Sequence, residues 1–380
     1  MAPNNTLKPL MLIFLLVPAG VLSLNAQVYT NKPSIRVDKQ TRDSVKQAVE
    51  YPYILPILGE KAAKAGFDLP YSAGLGVNYL WQESELIINN LAVGFNHGPL
   101  HSLDEIVRFD KAVSTASAIN FRPDVWVLPF LNVYGVFARS APSTIVDFSV
   151  WVPNQDGDYS KAASFHTQAN FQATTMGFGL TPTIGVKGGW LALDMNVTWN
   201  DIPQLAKPAV AFVFGPRLGK TFKLKKPDRT LTFWAGGFRL HLNSGTSGSL
   251  NLNEIVDTNG LQAKVDAGIQ TVSDKQTEVD TWWGGLSSIE QQNPVNTFKH
   301  DTANRVLNSA GSFLGNMDTA LNDATHSSVQ YSLDKRPKDM WNFIVGSQFQ
   351  LNKSWMIRAE YGFMGSRQQF IGGLQYRFPL

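Results

Sequence analysis

The stretch "WLALDMNVTWN" (residues 190–200) alternates without a slip, with Leu191, Leu193, Met195, Val197 and Trp199 on one face and Ala192, Asp194, Asn196, Thr198 and Asn200 on the other. Successive side chains of an extended strand point to opposite sides, so a period of two marks a strand whose two faces meet different surroundings. The same period runs through "SAGLGVNYLW" (72–81), "SELIINNLAVGF" (84–95), with an irregularity at Asn89-Asn90, "SAINFRPDVWV" (117–127), "LNVYGVFARS" (131–140) and "TIVDFSVWV" (144–152). It continues in "TTMGFGLTPTIGVKGG" (174–189), "AVAFVFGPRLGKTF" (209–222), "TLTFWAGGFRLHLN" (230–243), "WNFIVGSQFQL" (341–351), "WMIRAEYGFM" (355–364) and "QQFIGGLQYRF" (368–378), making twelve candidate strands. The turn residues Gly365-Ser366 join the last two as a hairpin.

The apolar face of such a sheet has two homes, a protein core or lipid. The segments run nine to sixteen residues, near or above the roughly 9 to 11 that a tilted strand needs to cross a bilayer and beyond the roughly 5 to 6 of soluble strands. Aromatic rings recur at strand ends, at Trp81, Trp151, Trp199, Trp341, Trp355 and Phe378, where two interfacial girdles would place them. The opposite face is polar and rich in glycine, as a lumen would be. A soluble sandwich or lipocalin-like barrel, with polar faces outward, is the alternative. These features predict an all-β fold, an antiparallel transmembrane β-barrel of about twelve strands.

Between the ninth and tenth strands the period changes. "LQAKVDAGIQTVSDKQTEV" spaces Leu261, Val265, Ile269 and Val272 by threes and fours, and "TANRVLNSAGSFLGNMDTALNDA" does the same with Val306, Ala310, Phe313, Leu314, Met317 and Leu321. That is helical spacing, so an α-helical insertion is expected over residues 245–338, with Trp282-Trp283 between its helices. It divides barrel strands 1–9 (72–244) from strands 10–12 (339–380). With both termini periplasmic, the long connections fall outside the cell and short turns such as "KLKKPDR" inside. The connection over residues 96–112 is the exception, long where a short turn is due.

The first 26 residues read as a secretory signal, one lysine and an apolar run ending in Leu24-Asn25-Ala26, and residues 27–71 as an arm with short helices that caps or plugs the barrel. The 380-residue chain has no cysteine, which removes disulfides, thiolate metal sites and a cysteine nucleophile. Its net charge of +3 is scattered apart from residues 223–229, so no nucleic-acid partner is expected.

These segments and the terminal strand "GGLQYRF", whose last aromatic is Phe378, give the chain its resemblance to Gram-negative outer-membrane β-barrel proteins. The resemblance is architectural and covers residues 72–378 apart from the insertion. It implies localisation in the outer membrane, with outer-membrane lipid as the partner of the apolar face.

Motifs for hydrolytic, metallopeptidase, phosphate-loop or dinucleotide chemistry are missing from the sequence, so no cofactor, metal or catalytic residue is assigned. His97 and His101 straddle Gly98-Pro99, which argues against a helix presenting both rings to one ion. The alternation predicts lumen-lining positions for Arg122, Asp124, Asp147, Asp194 and Arg217, and for Arg239, His241, Arg358, Glu360 and Arg377. Mixed signs at these positions imply ion pairs across the lumen, because a lone desolvated charge is costly. A weakly selective or self-plugged interior follows. The first function expected is a passive channel or transporter for small or amphiphilic solutes. The alternatives are a barrel-embedded lipid hydrolase with His241 as base, and an anchor that presents the insertion to a protein partner.

Overall fold

The computed structural model describes residues 51–380 apart from Gly66, Lys187, Asn243, Ser244 and 253–259. The signal segment and the first part of the arm lie outside the described residues. A short helix, α1 (Gly59–Lys64), precedes β1 (Ala73–Phe95), β2 (His101–Ser102), β3 (Val107–Leu128), β4 (Leu131–Pro153), β5 (Tyr159–Asn170), β6 (Ala173–Val186) and β7 (Gly189–Asp201). Then come β8 (Ala209–Lys223), β9 (Thr230–Leu242), β10 (Gly245–Asn251), α2 (Leu261–Gly285), α3 (Ser288–Gln291) and α4 (Pro294–Asn322). The chain closes with β11 (Ser328–Pro337), β12 (Trp341–Gln350), β13 (Trp355–Phe363) and β14 (Arg367–Phe378).

β1 pairs with β14 on one side and with β3 on the other, so the sheet joins itself. Round the barrel the order is β1, β3, β4, β6, β7, β8, β9, β12, β13, β14, all antiparallel, which makes ten strands. Four more strands lie off the wall. The expectation of twelve is corrected by two fusions. Residues 72–81 and 84–95 belong to the single strand β1, and residues 131–140 and 144–152 to the single strand β4. Pro142 suggested a break in the second pair. It is tolerated because β4 changes neighbours there, pairing with β6 up to Ser140 and with β5 from Ser143, so no ladder needs the missing N–H. With β1 counted once, the long 96–106 connection joins the other long connections at the end of the barrel away from the termini.

Beyond that end six strands continue as an upper storey. β5 runs on from β6, β10 from β9 and β11 from β12, while β13 and β14 stop at a tight hairpin, so β11 pairs directly with β1. Met364 and Gly365 turn that hairpin with positive φ, and Asp339 accepts from the Ser366 amide at 2.9 Å.

In the barrel wall apolar side chains point outward, whereas in the upper storey they must point inward, toward the helices. An unbroken period of two cannot do both. β1 solves this with one extra residue between Asn89 and Ala92, where Asn90 has φ 53°, and β3 with another between Phe109 and Lys111. A one-residue bulge exchanges the faces. Leu91, Val93 and Phe95 thereby join a core built from Val107, Val150, Val152 and Phe165 and from the α2–α4 hairpin. Of the spaced helical residues, Leu261, Val265, Val272, Val306, Ala310, Phe313, Leu314 and Met317 are buried there, with Ile269 and Leu321 packed at its edge. No helix among the described residues is long and apolar enough to cross a membrane.

Candidate functional site

All ten wall strands expose large apolar residues outward, among them Leu75 and Val77 on β1, Ile119 on β3, Phe137 on β4, Phe178 on β6 and Trp199 on β7. Leu218, Phe233, Phe343, Ile357 and Leu374 extend the band round β8, β9, β12, β13 and β14. A continuous ring of this kind has no partner in water, and lipid is the solvent that accepts it. The paired wall of β1 on β14, Ala73 to Ser84, has the length of a membrane-crossing strand. The fold is therefore a transmembrane-type antiparallel β-barrel with helices inserted between two of its strands, the architecture of outer-membrane barrel proteins.

Inside, the charges are cross-linked. Arg217 on β8 is held by Glu360 on β13 through Nε to Oε2 at 2.9 Å and Nη2 to Oε1 at 3.0 Å, and its Nη1 donates to Asp194 on β7 at 3.1 Å. Trp234 Nε1 donates to Glu360 at 2.8 Å, and Arg358 Nη2 at 3.3 Å. Asp194 also accepts from Tyr134 at 2.6 Å and from Thr181 at 2.8 Å. The two large rings fit because each crosses a glycine on a neighbouring strand. A Cβ at Gly346 would stand 2.2 Å from the Trp234 ring and one at Gly179 2.4 Å from Tyr134.

Nearer the termini, Asp124 accepts from Arg377 at 2.9 Å, from Asn132 at 2.7 Å and from Gln375, while Arg377 Nε donates to the Tyr71 carbonyl. Between the two networks lies a cavity of about 130 Å³ bordered by Arg122, Arg217, Arg358 and Arg377. That is room for several waters or a small ion.

The arm crosses the mouth at this end. Leu55 N donates to Leu380 O at 3.1 Å and Ile57 N to Val127 O at 2.9 Å, which ties the arm to β14 and β3. Asp68 then meets Lys223 at 3.4 Å at the end of β8, on the far side of the ring from β1, before the chain returns to Tyr71.

Seven of the ten positions expected in the lumen stand in this interior: Arg122, Asp124, Asp194, Arg217, Arg358, Glu360 and Arg377. Three do not. Asp147 is in the upper storey, on the opposite face from Phe148 and Val150, paired with His166. Arg239 and His241 face outward at the far rim, beside Trp341 and Phe212, because the inner side of β9 is taken by Trp234, Phe238 and Leu240. Apolar residues on β9 occupy both faces, so hydropathy alone gave the wrong side. His241 there has no hydrogen-bonded serine or acid among the described residues.

Among the strand-end aromatics, Trp199, Trp341 and Trp355 are exposed on the outer wall, and Trp81 and Phe378 share its outward phase. Trp151 is corrected. It pairs with Lys161 of β5, eleven residues past Ser140, where β4 leaves β6; at about 3.3 Å per residue that is roughly 35 Å beyond the wall. Sequence reasoning missed Arg367, which is fully buried, donates to the Phe238 and Met340 carbonyls and lies over the Phe238 ring. Its parity with Gln369 and Arg377 was the available signal. Tyr134, Trp190 and Trp234 were not among the expected lumen positions, which were chosen from charged residues and histidine.

No family model and no curated protein matches the chain. Among solved structures it is similar to the beta domain of a Bordetella autotransporter, at 10% identity over 81% of this chain and 100% of that one with a TM-score of 0.27. The translocator domain of the autotransporter NalP from Neisseria meningitidis matches at 10% identity over 84% and 92%, with a TM-score of 0.29. A Pseudomonas aeruginosa FadL homologue matches at 8% over 83% and 91%, with a TM-score of 0.26. Such values concern architecture and carry nothing about activity.

Proposed function

We propose that the protein is an outer-membrane channel for small or amphiphilic solutes, held nearly closed at rest by its internal ion pairs and by the arm across one mouth. The reading is carried by the arm, which is fastened at Leu55 and Ile57 on one side of the ring and at Asp68 on the other. A strap laid over a polar lumen has a purpose where passage is to be restricted. The polar inner face replaces part of a solute's hydration, and the cavity of about 130 Å³ offers a resting place. Single-channel recording in planar bilayers tests the proposal by comparing the whole chain with a variant lacking residues 51–70. The variant should conduct more. If both insert and neither passes current, the transport reading is lost.

A second reading, an anchor that displays the helical hairpin, is favoured by one observation. Ile289, Val295 and Phe298 stand 84%, 62% and 71% exposed where α2 turns into α4. Deleting residues 250–335 should then abolish capture of a protein partner without preventing membrane insertion.

A further inference from the structure

The inner face is not balanced in charge. With Asp147, Arg239 and His241 outside and Arg367 inside, the charged residues of the described barrel interior are Arg122, Arg217, Arg358, Arg367 and Arg377 against Asp124, Asp194 and Glu360. Arg377 is matched by Asp124, and Arg217 shares Asp194 and Glu360 with Arg358. Arg367, held by two backbone carbonyls, and Arg122 are left without an ion pair among the described residues. The Arg122 guanidinium lies 3.6 Å from the centre of the Tyr134 ring, borders the cavity and shares the field of Asp194 with Arg217.

Three further groups that border the cavity hold polar atoms buried in its walls with no partner among the described residues: Trp126 Nε1, Trp190 Nε1 and Arg358 Nε. Trp126 is only 6% exposed. All three atoms are donors. A space lined by four guanidinium groups and two carboxylates, with unmet N–H groups in its walls, is complementary to an acceptor that carries negative charge. Water would leave the surplus of positive charge in place, and a surplus of one sign in a low-dielectric interior is costly.

We propose that this cavity is a binding site for a small oxyanion, a carboxylate or phosphate group, held by Arg122 and Arg358 beside the two indoles. The volume of about 130 Å³ admits an anion of a few heavy atoms and nothing of the size that fills an ordinary ligand pocket. Access of the anion from water rests on the channel reading, and the site then names the charge class of the solute that pauses there.

The test is isothermal titration of the detergent-folded full chain with inorganic phosphate and with acetate at low chloride. Saturable binding near one anion per barrel is expected, weakened tenfold or more in Arg122→Gln and largely kept in Arg122→Lys. Arg122 has no ion pair to lose, so its variants should fold, which the shift in gel mobility on heating verifies. Arg358→Gln is the second variant and should weaken binding in the same way. Absence of saturable binding, equal binding by wild type and Arg122→Gln, or tighter binding of chloride than of either oxyanion overturns the proposal. Bilayer recording separates the two readings: a protein that binds oxyanions but never conducts keeps the site and loses the channel.

Discussion

Replacing Glu360 by Gln tests whether the lumen network is truly a buried ionic structure. The carboxylate accepts two bonds from Arg217, one from Trp234 and one from Arg358, and Glu360 is 1% exposed. Removing one partner of a buried pair commonly costs about 3 to 5 kcal/mol, because the other charge stays desolvated. Two features pull the figure to the low end. Gln keeps one acceptor oxygen, and Arg217 retains Asp194 at 3.1 Å. The expected loss is about 3 kcal/mol, or roughly two orders of magnitude in the unfolding equilibrium. Reversible guanidinium unfolding in phospholipid vesicles, followed by tryptophan fluorescence, measures it. A cost under about 1 kcal/mol in Glu360→Gln is the behaviour of a solvated surface pair and would refute the idea of a dry, cross-linked interior.

Inserting one serine after Asn90 shifts the phase of β1 by a further residue and should turn Leu91, Val93 and Phe95 away from the helices, costing several kcal/mol at about 1.5 to 3 per side chain; protease should then cut the α2–α4 hairpin while the barrel stays protected, and equal resistance to wild type counts against the phase switch. In single-tryptophan variants in brominated-lipid vesicles, Trp355 should be strongly quenched and Trp151 not at all; quenching of Trp151 would place the upper storey in lipid. Burial pushes the Tyr331 hydroxyl on β11 up to about 12 from its ordinary 10.0. The unfolded upper storey therefore gives up this proton first, and stability is flat below about pH 10 and falls as pH climbs toward 12. Tyr331→Phe should flatten part of that decline in near-ultraviolet circular dichroism, and an unchanged alkaline transition rejects the buried phenol.

Strand identity, the outward side of most of the wall and the helical faces were written in short-range order, because side-chain period is a local property. The same is true of the irregularity at Asn89-Asn90, where two polar residues break an apolar alternation. Charges at Arg122, Asp194, Arg217 and Glu360 were legible on the inner side for the same reason. Trp234 and Tyr134 were not, since an indole or a phenol suits lipid and lumen equally, and only the glycine on the adjacent strand decides which space is open to it.

Two things could be read from the residues alone: a run of long strands with one apolar and one polar face, and helices that interrupt the run. Both follow from hydropathy periods of two and of three to four. The fold supplied the rest: that the wall among the described residues has ten strands, that Pro142 lies inside a strand rather than between two, and that Arg217 is held by two acids. Those facts depend on which strand lies beside which and in what register, and pairing across the sheet is set by closure of the whole ring, which no single segment records.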